Sequence, residues 1–170
     1  KVLRIIKTDI ICKVISGGTL TDRKACFVPD VVLNMPFLST QDKEDLKLAI
    51  EFNLDFVAAS FVSKKEDAIA MRNYLNKIGG KTIEIIAKIE SVAGVKNVKE
   101  ICEHVEGIMV ARGDLGVEYS LEKLPAIQKN IIDAAINKGK LLIMATEMLE
   151  SMTTNIRPTR AEANDVASAV

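Results

Sequence analysis

Gly107-Ile108-Met109-Val110-Ala111-Arg112-Gly113-Asp114-Leu115-Gly116-Val117-Glu118 is the stretch on which the reading of the chain turns. Ile108 to Ala111 is a short apolar run, the pattern of a buried strand. It breaks at once into a cation, a carboxylate and two permissive glycines. A buried strand that opens into a charged, glycine-containing turn is how α/β enzymes build a site at the C-terminal end of a strand. Two other readings of these residues stay open. Asp114 could be the N-cap of a helix, or Arg112-Gly113-Asp114 an adhesion tripeptide, which a preceding buried strand and the absence of secretory signs disfavour.

Working outward, the pattern repeats. Leu54 to Phe61, Thr82 to Ile89, Gly107 to Ala111 and Leu141 to Ala145 read as strands. Between and around them, helical stretches begin at Ser39, Ser63, Ser91, Pro125 and Pro158. Ser39 is expected to cap its helix, with Asp42 three residues on adding first-turn charge, and Ser63-Lys64-Lys65-Glu66 to cap the next. Gly79 and Gly139 stand where helices should stop. Strands alternating with helices make a parallel sheet with right-handed crossovers. An open doubly wound sheet and part of a (β/α)8 barrel both fit, and no GxGxxG motif follows the first strand to favour the former. Residues before Pro36 have a different texture. Val2 to Lys7, Ile10 to Ile15 and Ala25 to Val28 are β-like runs, too few to close a core alone.

Composition excludes several classes. Of 170 residues, 48% are hydrophobic and 27% charged, which fits a folded soluble domain. Lys+Arg and Asp+Glu number 23 each, so no basic field predicts nucleic acid or an anionic membrane as partner. No apolar run approaches the roughly 18 residues needed to span a bilayer. Cys12, Cys26 and Cys102 lack metal-ligand spacing and read as reduced thiols in a cytoplasmic protein. His104 lies among glutamates near a helix end and reads as solvated.

Chemistry concentrates at strand ends. In Ile83-Glu84-Ile85-Ile86-Ala87-Lys88-Ile89-Glu90 the odd positions share one face, and Lys88 and Glu90 share the other. Opposite charges closing a buried strand are costly unless paired or given a ligand. They read as an internal ion pair, or as a metal-binding carboxylate beside a lysine that faces a phosphate or enolate. Asp114, just beyond the next strand, would be Glu90's neighbour across the sheet. Two carboxylates without nearby His or Cys suit Mg²⁺ or Mn²⁺. Gly113 and Gly116 would let backbone amides approach an anion. Thr146 places a hydroxyl at a third strand end. Arg157, Arg160, Glu162 and Asp165 form either a salt-bridged face or a subunit contact.

Taken together, Lys88-Ile89-Glu90, Met109 to Glu118, Ala145-Thr146-x-Met148-Leu149-x-Ser151-Met152 and Arg157-Pro158-Thr159-Arg160-Ala161-Glu162-x-x-Asp165-Val166 resemble pyruvate kinase. Gly17-Gly18-x-Leu20 with Arg23-Lys24, Asp42-Lys43-x-Asp45-Leu46 and Ala59-Ser60-Phe61-Val62 add to the resemblance, which covers essentially the whole chain.

The resemblance implies an α/β fold: a partial (β/α)8 TIM barrel, about half a barrel and its fourth to seventh strands, at residues 35–170. Residues 1–34 would be the C-terminal part of an inserted β cap domain. It implies phosphoryl transfer from phosphoenolpyruvate to ADP, giving pyruvate and ATP in glycolysis in the cytoplasm. Glu90 and Asp114 would hold Mg²⁺ or Mn²⁺, and Lys88 would neutralise the phosphoryl group in flight. Ala111, Arg112, Gly113, Asp114 and Thr146 would bind substrate, with Thr146 on the face where the enolate is protonated. Lys24 would lie near the nucleotide. K⁺ is implied too, through ligands this chain does not contain, as is a homotetramer for the intact family.

The resemblance further implies a fragment, inactive alone, that oligomerises or rearranges to cover its open sheet edges. Departures from the family pattern are Glu147 for glutamine, Ala25-Cys26-Phe27 for Gly-Val-Asn, Ser63 for arginine, and Ser91-Val92-Ala93 for Asn-x-Glu. The alternatives weighed are a Mg²⁺-dependent aldolase or lyase barrel acting on a 2-oxo acid, and a truncated chain acting only by association.

Overall fold

A computed structural model describes residues 1–22, 24, 26, 28 and 35–169. At the N-terminus, β1 (Val2–Ile6) and β2 (Asp9–Cys12) form an antiparallel hairpin with Ile6 opposite Asp9. Both strands are exposed along their whole length, Val2, Leu3, Ile5, Ile6, Ile10 and Ile11 included. The expected strand at Ala25 to Val28 and the run Val31 to Leu33 fall wholly or partly outside the described residues.

The rest is serial βα. In chain order it runs α1 (Thr40–Glu51), β3 (Phe56–Ala59), α2 (Lys65–Ile78), β4 (Glu84–Ile89), α3 (Val92–Ile101), β5 (Gly107–Ala111), α4 (Arg112–Glu118), α5 (Leu124–Asn137), β6 (Leu141–Ala145) and α6 (Arg160–Ala169). The four strands β3-β4-β5-β6 pair in that order, all parallel, with Ala58, Ile86, Gly107 and Leu141 in one row. The sheet is open: among the described residues, β3 and β6 are its edges.

Period-two alternation sorts the two faces. Ile85, Ala87 and Ile89 of β4 and Ile108 and Val110 of β5 are fully buried. They join Ala68, Met71 and Leu75 of α2, Val98 and Ile101 of α3, and Ile131 and Ala135 of α5 in one core. Each large aliphatic buried there contributes about 1.5–3 kcal/mol, so this face dominates the stability of the unit. The opposite face carries Ile86, Lys88, Met109 and Ile143, and its outer members Phe56 and Leu141 are about half exposed. Gly107 leaves room on that face: a Cβ there would lie 2.5 Å from Ile86 Cδ1, so the end of that side chain would have to move.

Helix signals held where they were local. Ser39 caps α1 as expected, and Asp42 does more than add first-turn charge: its carboxylate accepts from the Ser39 amide and closes a reciprocal capping box. Gly79 ends α2 in the left-handed region at φ 100°. Two expectations are corrected. Ser63 does not cap α2: the Asp67 carboxylate accepts from the Ser63 and Lys64 amides instead, while the Ser63 hydroxyl donates to the Phe61 carbonyl. The Arg112 to Gly116 stretch is not an open turn. It is helical from Arg112, with Asp114 inside the first turn rather than at the N-cap, which is Ala111.

Candidate active site at the C-terminal ends of the strands

β4 delivers Lys88 and Glu90 to the same end of the sheet. Glu90 is buried, and its carboxylate meets the Lys88 ammonium at 2.8 Å. It also accepts a 2.5 Å hydrogen bond from the Phe61 amide, beyond the end of β3. Lys88 Nζ lies 3.0 Å from the Ser60 hydroxyl. The ion-pair reading of these residues is therefore realised. Yet burial still pushes the Glu90 carboxyl above its ordinary range, against the opposing pull of Lys88 and the Phe61 amide, and the Asp114 charge pushes the same way. Because desolvation outweighs the pairing, ionising Glu90 works against the fold. A carboxylate kept at such a cost marks a functional-site candidate.

Phe61 itself adopts φ 54°, and this bend aims its amide at Glu90. Around it, the Ser63 carbonyl accepts from the Asn97 side chain at 2.8 Å, and the Ser63 and Ser91 hydroxyls lie 3.3 Å apart. Ser63 thus meets Ser91, the residue that follows Glu90 in the chain.

β5 and β6 supply the neighbouring part. Ala111 is buried at the end of β5, and Asp114 is half-buried on α4. The Gly113 amide donates to the Thr146 hydroxyl at 2.8 Å, so that amide is engaged within the chain. Arg112 donates through Nε, at 3.1 Å, and through Nη2 to the Thr146 carbonyl, and its Nη1 reaches both Asp165 oxygens at 2.7 Å. The segment after β6 is held in an uncommon conformation: Thr146, Glu147 and Leu149 have φ of 73°, 54° and 56°. For a β-branched threonine this is a true outlier, and each such residue costs on the order of 1–3 kcal/mol. Farther along, Glu162 accepts from the backbone and hydroxyl of both Ser151 and Thr159, which brings its carboxyl down to about 2.

The structure thus brings Lys88 and Glu90 together, and separately Arg112, Gly113 and Thr146, with Asp114 on the helix between. It does not bring in Lys24, which is exposed and, among the described residues, makes no hydrogen bond or ion pair with this cluster. Sequence reasoning gave no part to Ser60 or to the Phe61 amide, although the strand-end Ser-Phe pair was a usable signal. It named Asp165 without finding its partner.

Among the described residues no group of three His, Cys, Asp or Glu could hold a metal by itself. The donor set that is present, two carboxylates at adjacent strand ends, nevertheless fits a hard cation that keeps waters and takes oxygens from its substrate, as Mg²⁺ does. No helix among the described residues is long and apolar enough to cross a membrane.

Comparison with known proteins gives the context. The family model described as "Pyruvate kinase, barrel domain" matches residues 1–170. Pyruvate kinase of Clostridium perfringens is 52% identical over 170 residues, all of this chain and 36% of that relative. That of Clostridium acetobutylicum is 46% identical over 163 residues, and that of Dictyostelium discoideum 48% over 164, each over 96% of this chain. The chain spans about a third of the length of these curated relatives. A match along its entire length, carried by an open run of parallel βα units with charged groups gathered at the strand ends, means that the chain belongs to the pyruvate kinase family.

Proposed function

We propose that this chain is part of an enzyme that transfers the phosphoryl group of phosphoenolpyruvate to ADP. The observation that carries the reading is the gathering of Lys88, the desolvated Glu90 and Asp114 at adjacent strand ends, in a chain of this family. The P–O bond to the enol oxygen breaks, a bond from phosphorus to an ADP oxygen forms, and the enolate left behind takes a proton at carbon to give pyruvate. Such a transfer asks the protein for positioning and charge neutralisation rather than covalent chemistry.

Lys88 is suited to neutralise the phosphoryl group as it moves. Its ammonium is only partly exposed, and Ser60 and Glu90 fix its position. Glu90 and Asp114 would hold Mg²⁺ or Mn²⁺, which supplies Lewis-acid stabilisation of the enolate and carboxylate oxygens. Ala111, Gly113 and Asp114 border the place of the substrate carboxylate, with the Thr146 hydroxyl on the protonation side. Residues 35–170 are then one wall of the catalytic barrel and residues 1–34 part of its cap, where Lys24 serves the nucleotide. K⁺ dependence, homotetrameric assembly and a cytoplasmic glycolytic role belong to the same reading. Turnover is expected of a longer polypeptide carrying this stretch, not of residues 1–170 alone.

The test is pyruvate release from phosphoenolpyruvate by that longer polypeptide with Mg²⁺, with and without ADP. Strictly ADP-dependent release with matching ATP supports the reading. Pyruvate released equally without ADP, with free phosphate in place of ATP, would mean hydrolysis and overturn the reading.

A further inference from the structure

Thr146 is held in the left-handed region by contacts from one residue pair and one amide. Its hydroxyl accepts from Gly113, and its carbonyl accepts from two nitrogens of Arg112. The third nitrogen of Arg112 is fixed by Asp165, which lies 53 residues away on α6. The Arg112 side chain is 12% exposed and that of Asp165 36%, so the pair is buried on the guanidinium side and open to solvent on the carboxylate side. The geometry requires a guanidinium. Its planar fork sets two N–H groups on one carbonyl while a third nitrogen meets a carboxylate, whereas lysine has a single nitrogen to offer.

We propose that Arg112 and Asp165 are a positioning pair for the phosphoryl-transfer reaction argued above. They clamp the Thr146 carbonyl, and so fix where its hydroxyl points, without touching substrate themselves. A misplacement of about 1 Å at a reacting group can cost on the order of 100-fold in rate, which is what such a clamp prevents. The inference rests on the proposed reaction and goes beyond it by giving Arg112 a part other than substrate contact.

The test uses a full-length family enzyme in which residues 1–170 replace the corresponding stretch. Arg112→Lys keeps the charge and loses the fork; Asp165→Asn keeps the shape and loses the anchor. Each is expected to lower kcat about 10- to 100-fold and to leave KM for phosphoenolpyruvate within about threefold. In a Thr146→Ala background the same substitutions should lower kcat by no more than about twofold, because the hydroxyl they position is gone. Losses that multiply in full in that background overturn the proposal, since they would show Arg112 acting on substrate directly. So does a lower melting temperature with kcat per folded enzyme unchanged. If Arg112→Lys fails to fold, Asp165→Asn carries the same comparison. An unsubstituted enzyme that makes no pyruvate from phosphoenolpyruvate and ADP refutes the reaction itself; multiplying losses in an active enzyme refute only the positioning role.

Discussion

The two ends of the parallel sheet are built on opposite principles. At the N-terminal end, Arg72 of α2 donates to the Ile83 carbonyl and to Glu106, and the same Glu106 oxygen accepts from the Ile85 amide. Glu106 also joins β4 to β6 through its own backbone. This cluster therefore ties a helix to three consecutive strands, and none of residues 83–85 and 105–107 has positive φ, which at this end occurs only in the helix-to-strand turns at Asn53, Gly79 and Gly139. At the C-terminal end the charges are costly rather than cohesive. Glu90 is buried against its preference for water, and Phe61, Thr146, Glu147 and Leu149 all sit at positive φ. The difference teaches where each end's free energy goes: one end holds the unit together, and the other holds groups in positions that the fold alone would not choose.

The sharpest way to break this contrast is at Lys88. Lys88→Met in the longer enzyme is expected to lower turnover by about 10²- to 10³-fold or more while substrate binding changes far less, as for a charge used mainly in the transition state. Removing the ammonium also takes away the partner of the buried Glu90 carboxyl, so a loss of stability is expected beside the kinetic effect. Steady-state kinetics beside thermal melting decide it. Equal losses in kcat and binding would remove the transition-state role.

The converse change is at the other end. Glu106→Ala strands the Ile85 amide and releases Arg72, and should cost about 1–3 kcal/mol of stability. It should leave kcat of the folded enzyme unchanged. Denaturant titration and kinetics on one preparation test both halves, and a fall in kcat per folded molecule would mean the two ends are not separable.

What the sequence made legible follows from how far each cause reaches along the chain. The Ser39 cap on α1 acts over three residues, and it was read correctly, with Asp42 taken only as first-turn charge. So were the strand alternation that puts Lys88 and Glu90 on one face and the glycine that ends α2. Next came features set by competition between neighbours. Ser63 and Asp67 could each have capped α2, and the longer-reaching carboxylate won. Likewise, helix formation ran through Gly113 because tertiary contacts to Thr146 and Asp165 overrode the weak propensity of Arg-Gly-Asp. Least legible was whatever depends on partners far apart. The backbone of Thr146 is decided by Arg112, and Arg112 by Asp165, neither of which a local pattern can join. The Phe61 amide belongs to the site only because β3 and β4 lie side by side.

A gentler probe sharpens the comparison within the site end itself. Glu162 is fully engaged by Ser151 and Thr159, and these hydrogen bonds, those from Ser151 foremost, lower its carboxyl from 4.5 to about 2. The sign follows from that direction. A carboxyl held lower in the folded state than in the unfolded one adds stability above pH 4.5, and that contribution fades as the pH falls towards 2. Glu162→Gln removes the titration while keeping the shape. The variant should melt below the parent at neutral pH, and the gap should narrow as the pH drops through that window. Because Glu162 is only partly buried, the effect should be the smallest of the three, and salt should weaken it further. Melting curves across pH check it directly. A gap that stays constant down to pH 2 would mean that the Ser151 and Thr159 contacts hold the loop after β6 by shape alone. The strain at Thr146 would then be balanced by Arg112 and Asp165 without help from the charge on Glu162.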